Sequence, residues 1–265
     1  MKLRGSHIVI TGASRGIGAA LARVVTDRGA RVTLLARSEG PLKAIATQLG
    51  GLAVPVDLTS AEQLDGLIGR IESDAGPIDA LVNNAAYAVS GEFIQRGDQQ
   101  LRTHILANLL APMELCRQVA PRMIKRGHGS LLAVSSVGAE LSTRNTACYS
   151  ATKAGLNQFT LNLRRELRRA PITVSLAVLA GVDTDMLAEG RQDPVLAAVD
   201  RRLKLLGALN PDDVAVALAK ALEADRETLV LPKAVAPMYH LRQLPSRFAD
   251  LLMYNIDRAR RHENA

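Results

Sequence analysis

The sequence predicts an α/β fold, a single domain built on a doubly wound parallel sheet with helices on both faces. Two observations carry this. Apolar runs of four to eight residues alternate with longer stretches of helical periodicity, and no linker or low-complexity segment interrupts them. Strand, helix, strand repeated this often calls for parallel strands, right-handed crossovers and helices packed on each side. The composition agrees: 265 residues, 48% hydrophobic, are enough for one large core. With three Phe, four Tyr and no Trp, that core has to be aliphatic.

The strands are expected at 6–11, 30–36, 52–56, 79–83, 130–135, 172–178 and 228–231. Helical patterns fall near 16–28, 40–49, 60–75, 98–126 and 147–169. The domain is read as 1–232, followed by an extension over 233–265.

The net charge is +7, but the arginines are scattered and no basic block interleaved with aromatics appears. No nucleic-acid partner is therefore expected, and a phosphorylated cofactor accounts for the sign equally well. Cys116 and Cys148 lie far apart in the chain, without metal-ligand spacing. No metal is expected, and a reducing compartment, the cytoplasm, is the expected location. No charged start with an apolar signal core precedes the first strand, and no apolar run approaches the length of a bilayer span.

The first strand runs into Thr11-Gly12-Ala13-Ser14-Arg15-Gly16-Ile17-Gly18, and a helix follows. Glycines let the backbone turn tightly and approach a ligand, and the helix start offers free N–H groups and a positive dipole end. After the first strand of an alternating chain, this points to nucleotide binding. The second strand ends at Ala36-Arg37, where dinucleotide sites often place an acid that accepts from the adenosine ribose. Arg37 and Arg15 suit a 2′-phosphate instead, so NADP(H) is favoured over NAD(H); the plain alternative is two surface arginines, with Glu39 close by.

Asp57-Leu58 follows the third strand, and Asn83-Asn84-Ala85-Ala86 follows the fourth, both where ligands collect beyond parallel strand ends. Asp57 can accept from an adenine amino group; equally, Asp57 or Thr59 can cap a helix. Asn108 is an unfavourable choice inside a long helix unless its side chain has a role. Ser136 closes the apolar run Leu131–Val134 and can offer a hydroxyl at a strand's carboxyl end. Tyr149 and Lys153 are four apart, on one helix face, and an ammonium beside a phenol favours phenolate.

Taken together, these stretches resemble the short-chain dehydrogenases/reductases in their classical form. The set of Thr11 to Gly18, Asp57-Leu58, Asn83 to Ala85, Asn108, Ser136 and Tyr149 to Lys153 occurs in that family's order, across about residues 5–232. The resemblance implies a Rossmann-like sheet in the order 3-2-1-4-5-6-7. It implies Tyr149 as proton donor or acceptor, Ser136 as the group holding the substrate oxygen, and Lys153 as the residue that binds the nicotinamide ribose and lowers the Tyr149 pKa. Asn108 is expected to support a proton relay. Gly12, Gly16 and Gly18 are expected at the pyrophosphate, Asp57 at the adenine, Val182 and Thr184 at the nicotinamide, and Ser14, Ile17, Leu58, Asn84, Ala85 and Ala86 among the other cofactor contacts. Homodimers or homotetramers are also implied.

The chain departs from the pattern in two places. Ala86 replaces a glycine, and the Pro-Gly after the sixth strand is absent: Leu179-Ala180-Gly181-Val182 is either one residue short or carries Leu-Ala in its place. A substrate lid is expected over about 185–208, where Met186, Leu187, Val195, Leu196, Leu203, Leu205 and Leu206 fit either an apolar substrate or the core. Residues 233–265 hold six Lys/Arg against three Asp/Glu, with Leu241, Leu244, Phe248, Leu251, Leu252 and Ile256 at nearly helical spacing. Packing on the domain is the favoured reading, ahead of a subunit or pocket cover and of shallow association with a membrane surface.

The function expected is NADPH-dependent reduction of a ketone or aldehyde, or the reverse alcohol oxidation, on an apolar small molecule. Its rivals are a catalytically idle dinucleotide sensor and a peripheral membrane or interaction module.

Overall fold

A computed structural model describes residues 1–141, 143–205 and 209–242. The sheet has seven parallel strands: β1 His7–Thr11, β2 Arg31–Ala36, β3 Leu52–Pro55, β4 Ala80–Asn83, β5 Ser130–Ser136, β6 Thr173–Leu179 and β7 Thr228–Leu231. Their spatial order is β3-β2-β1-β4-β5-β6-β7. The order reverses between β1 and β4, which opens a crevice at the carboxyl ends of the strands, where such sheets bind ligands.

Side chains alternate between two cores, as the period of a strand dictates. Ile8, Ile10, Leu34, Val82 and Leu132 face one side, against α1 (Gly16–Asp27), α2 (Glu39–Leu49) and α10 (Pro211–Glu223). Val9, Leu35, Leu81 and Leu131 face the other, against α4 (Leu67–Ala75) and α6 (Ala111–Arg126). A third cluster joins Leu156 of α7 (Ala147–Glu166) to Leu176, Val178 and Val230 of the sheet. Fully buried strands explain why the sequence shows continuous apolar runs instead of alternation.

Three helical expectations change. The 60–75 pattern is two pieces, α3 (Ala61–Leu64) and α4, because Gly66 takes a left-handed φ of 62°. Ser60 caps α3 by accepting from the Gln63 N–H, so neither Asp57 nor Thr59 is the cap. The 98–126 pattern is α5 (Asp98–Ile105) and α6 joined by a π-turn over Leu106–Leu110. Helix α10 was not anticipated, although Asn210 caps it and Pro211, Asp212 and Asp213 open it.

The lid region forms α8 (Asp185–Gly190) and α9 (Pro194–Lys204). Of its expected apolar residues, Leu206 lies outside the described residues, as do the side chains of Val195 and Leu203; Leu205 is exposed. In the extension, α11 (Ala236–Arg242) follows β7, and buried Val235 and Tyr239 join the third core cluster. Leu241 of α11 is exposed, while Leu244, Phe248, Leu251, Leu252 and Ile256 lie outside the described residues. Among the described residues, no helix is long and apolar enough to cross a membrane.

Candidate active site

A cavity of about 1180 Å3 lies over the carboxyl ends of the strands. Gly12, Ser14, Arg15, Gly16 and Ile17 form one end of its lining, with Arg37, Asp57 and Leu58 beside them. Asn84, Ala85 and Ala86 lie along it, and Ser136, Tyr149, Lys153, Val182 and Thr184 also line it. Gly18 and Asn108, both expected at the site, do not line the cavity.

The glycine turn has the form of a cradle. Gly12 sits at φ +67°, and a Cβ there would come within 2.8 Å of the Ala85 Cα. Gly16 is left-handed too, at φ +57°. Arg15 precedes α1 in extended backbone and makes no side-chain cap, and the start of the helix, Gly16 and Ile17, lines the cavity. Gly18 serves packing instead. A Cβ there would lie 2.4 Å from the Gly12 carbonyl oxygen and 2.7 Å from Asn84 Nδ2. Its missing side chain lets α1 pack under the turn. Asn84 completes the corner, its Nδ2 donating to the Thr11 carbonyl at 2.9 Å.

At the adenosine end, Arg37 is exposed beside the cavity. Glu39 is turned away into an ion pair with Lys43 at 2.5 Å, which holds its carboxyl below the usual range. Arg15 reaches across to α8, 3.3 Å from Asp185 and 3.7 Å from Glu189. The Asp57 carboxylate accepts from the Thr59 N–H and hydroxyl at 2.9 and 2.8 Å, a local turn that fixes the strand exit.

At the other end, Ser136 closes β5 and its Oγ accepts from the Gly138 N–H at 3.0 Å. The small Gly138 lets the Tyr149 ring approach: a Cβ there would meet Ser136 Oγ at 3.3 Å and Tyr149 Cε1 at 3.5 Å. Lys153 is buried and its Nζ donates to the Val134 carbonyl at 2.9 Å, 6.0 Å from the Tyr149 ring centre. Burial pushes the Lys153 ammonium down to about 8. Burial also raises the Tyr149 phenol, while its hydrogen bond with Ser136 works the other way. Desolvation is the leading influence on both groups, and Ser136 is the partner that favours phenolate.

Asn108 lies behind the wall, fully buried, in the π-turn. Its Oδ1 accepts from the Tyr87 N–H at 2.7 Å, and its Nδ2 donates to the Tyr87 carbonyl at 2.8 Å and to the Thr152 hydroxyl at 3.1 Å. His104, one turn earlier, accepts from the Val89 N–H at 3.4 Å and donates to the Gln100 carbonyl at 2.7 Å. Burial holds its pKa down, in keeping with one ring nitrogen accepting. Tyr87, Val89, Leu141, Thr143 and Thr146, none of which the sequence singled out, add to the lining. They sit in irregular loops, where periodicity gives no signal.

In place of Pro-Gly, Leu179 continues the sheet opposite Ser136 and Leu231, and the Ala180 N–H donates to the Leu231 carbonyl at 2.8 Å. Val182 is buried and bridges Leu209. Thr184 reaches the glycine turn, its methyl 3.3 Å from a Cβ placed on Gly16. The run delivers Thr184 to the cavity.

Comparisons with known proteins agree with this geometry. The pattern of the short chain dehydrogenase family matches residues 6–195. The chain is 33% identical over 229 residues to the ketoacyl reductase HetN of Nostoc sp., spanning 83% of this chain and 76% of that protein. It is 32% identical over 204 residues to the 3-oxoacyl-[acyl-carrier-protein] reductase FabG of Escherichia coli, spanning 75% and 84%. Among solved structures, a short-chain dehydrogenase from Sphingobium yanoikuyae in complex with NADPH superposes with a TM-score of 0.80 at 28% identity, covering 94% of this chain and 95% of the other. With the family pattern matched over residues 6–195 and relatives above 30% identity along most of their length, the chain belongs to the short-chain dehydrogenase family, as an NAD(P)-dependent oxidoreductase acting on CH–OH and C=O groups.

Proposed function

We propose that this chain is an NADPH-dependent carbonyl reductase, acting on a ketone or aldehyde carried by a largely apolar small molecule, or running in reverse on the alcohol. The observation that carries the reading is the meeting of Ser136 and Tyr149 around Gly138, both lining the cavity that Lys153 also lines.

The nicotinamide, when bound, supplies the hydride. Gly12, Gly16 and the N-terminus of α1 would hold the pyrophosphate, and the Lys153 ammonium the ribose. Hydride arriving at the carbonyl carbon leaves negative charge on the oxygen. The Ser136 Oγ accepts from the Gly138 N–H, and its own hydrogen, directed at Tyr149, would turn to that oxygen. Tyr149 gives it a proton, and the ammonium below stabilises the phenolate that results.

Arg37 supports preference for the 2′-phosphate, because it borders the cavity while Glu39 is tied to Lys43. Arg15 joins it once released from Asp185 and Glu189. Tyr87, Val89, Leu141, Met186 and Leu187 in the lining support an apolar substrate. Exposed Ile105, Leu110 and Met113 on successive turns of the α5–α6 helix support self-association as a dimer or tetramer. Cys116 and Cys148 are free and buried, in keeping with a reducing, cytoplasmic setting.

Tyr149→Phe, assayed for NADPH oxidation across carbonyls of graded size and polarity, tests this reading. Turnover is expected to fall by roughly 100-fold or more with NADPH affinity unchanged. Near-normal rates defeat it. Stoichiometric NADPH binding by the unaltered protein without oxidation by any carbonyl would favour a dinucleotide sensor.

A further inference from the structure

Asn145 lies one residue before Thr146, which immediately precedes α7 and so leads to Tyr149. Its backbone is left-handed, at φ +67°, a conformation that few residues other than glycine adopt and that Asn and Asp tolerate best. Held that way, it makes contacts in two directions. The Asn145 carbonyl accepts from the Gly91 N–H at 3.0 Å and from Arg96 at 3.4 Å. Arg96 in turn donates to the Val89 and Gly91 carbonyls at 2.6 and 3.0 Å, so the rim loop 87–91 is fastened to this point. The Asn145 side chain reaches the opposite wall: Nδ2 donates to Asp193 Oδ2 at 2.6 Å. Asp193 also accepts, at 3.4 Å, from the Leu196 N–H at the start of α9.

Asn145 itself does not line the cavity, but residues flanking each contact do: Val89 and Ser90 on the rim, Thr143 and Thr146 beside Asn145, Gln192 and Leu196 on the lid. One residue behind the wall therefore joins the rim loop, the lid and the entry to the Tyr149 helix.

We propose that Asn145 is a positioning residue that holds the lid and the rim loop in register with Tyr149, and so sets how tightly a carbonyl substrate is held. This rests on the reductase reading. The contact to Asp193 is charge-assisted, the kind that contributes more than a neutral hydrogen bond.

An exchange of the pair provides the test. Asn145→Asp keeps a residue suited to the left-handed backbone but sets two carboxylates against each other. The double variant Asn145→Asp, Asp193→Asn restores one amide and one carboxylate in reverse, and Asn at 193 still suits the start of a helix. Asn145→Gly keeps the backbone and deletes only the lid contact. Asn145→Asp is expected to raise the KM for carbonyl about tenfold. The kcat and the KM for NADPH should change less than about twofold, and amide hydrogen exchange should quicken over residues 185–204. The double variant should recover both KM and protection. Asn145→Gly should quicken exchange in the lid and leave residues 87–91 unchanged.

Unchanged lid protection and KM in Asn145→Asp would overturn the proposal, and so would a double variant no better than the single one. If no carbonyl is turned over by the unaltered protein, the reductase reading falls, and the proposal falls with it as a statement about substrate. The exchange data would then report on the contact alone.

Discussion

Asn108 grips the peptide of Tyr87 from both ends, accepting from its N–H at 2.7 Å and donating to its carbonyl at 2.8 Å. The π-turn over Leu106–Leu110 carries the asparagine, the kind of local irregularity that a regular helix keeps only where a side chain has to be aimed. Asn108 is thus the clamp on the cavity wall that begins at Tyr87.

Asn108→Ala would leave a buried N–H and carbonyl at Tyr87 without side-chain partners. The expected loss is about 2–4 kcal/mol of stability, seen as a drop of several degrees in Tm. Activity should fall further than stability explains, because the wall that carries Tyr87 loosens. Asn108→Asp keeps the acceptor and loses both donations, and should fall between. Thermal unfolding together with NADPH turnover checks both.

Lys153 makes stability depend on pH. Its usual pKa is near 10.5, and in the folded chain burial pushes it down to about 8. Below pH 8 the ammonium is charged in both states, and the folded state carries the full desolvation cost. Between pH 8 and 10.5 the folded state sheds the proton first, so stability rises with pH over that window. Lys153→Met removes the cost, on the order of 3 kcal/mol, offset in part by loss of the bond to the Val134 carbonyl. The variant is expected to be at least as stable as the parent at pH 7, with the difference shrinking towards pH 10, and to be inactive. Urea unfolding of both proteins at pH 7, 8.5 and 10 reads this directly.

Arg37 carries the cofactor preference in this reading. Arg37→Asp is expected to weaken NADPH binding by about tenfold or more, since a carboxylate then faces the 2′-phosphate. NADH binding should be unchanged or tighter. Titration of both dinucleotides against parent and variant gives the ratio, and an equal loss for the two would remove Arg37 from the 2′-phosphate.

Much of the architecture was legible because buried parallel strands write themselves as short apolar runs, as His7–Thr11 and Ser130–Ser136 do. The glycine turn, Ser136 and the Tyr149–Lys153 pair were legible because each needs a particular residue type at a fixed offset from a strand or along a helix. Helix α10 is legible in the chain as well: Asn210, Pro211 and two acids are a full helix start. The break at Gly66 was less so, because a glycine alone does not announce a left-handed turn. Gly18 shows the limit of a motif, since its place in the pattern does not say whether it meets a ligand or the Gly12 carbonyl beneath.

By itself, then, the chain determined its sheet and its crossovers, since these follow from local periodicity and residue type. Only the tertiary structure decided what surrounds them. It gave Asn108 the Tyr87 peptide and brought Asn145 to Asp193 across 48 residues of chain. It also dried Tyr149 and Lys153, so that burial is the leading influence on both. Burial and partners are set by residues distant in sequence, and no local pattern encodes them.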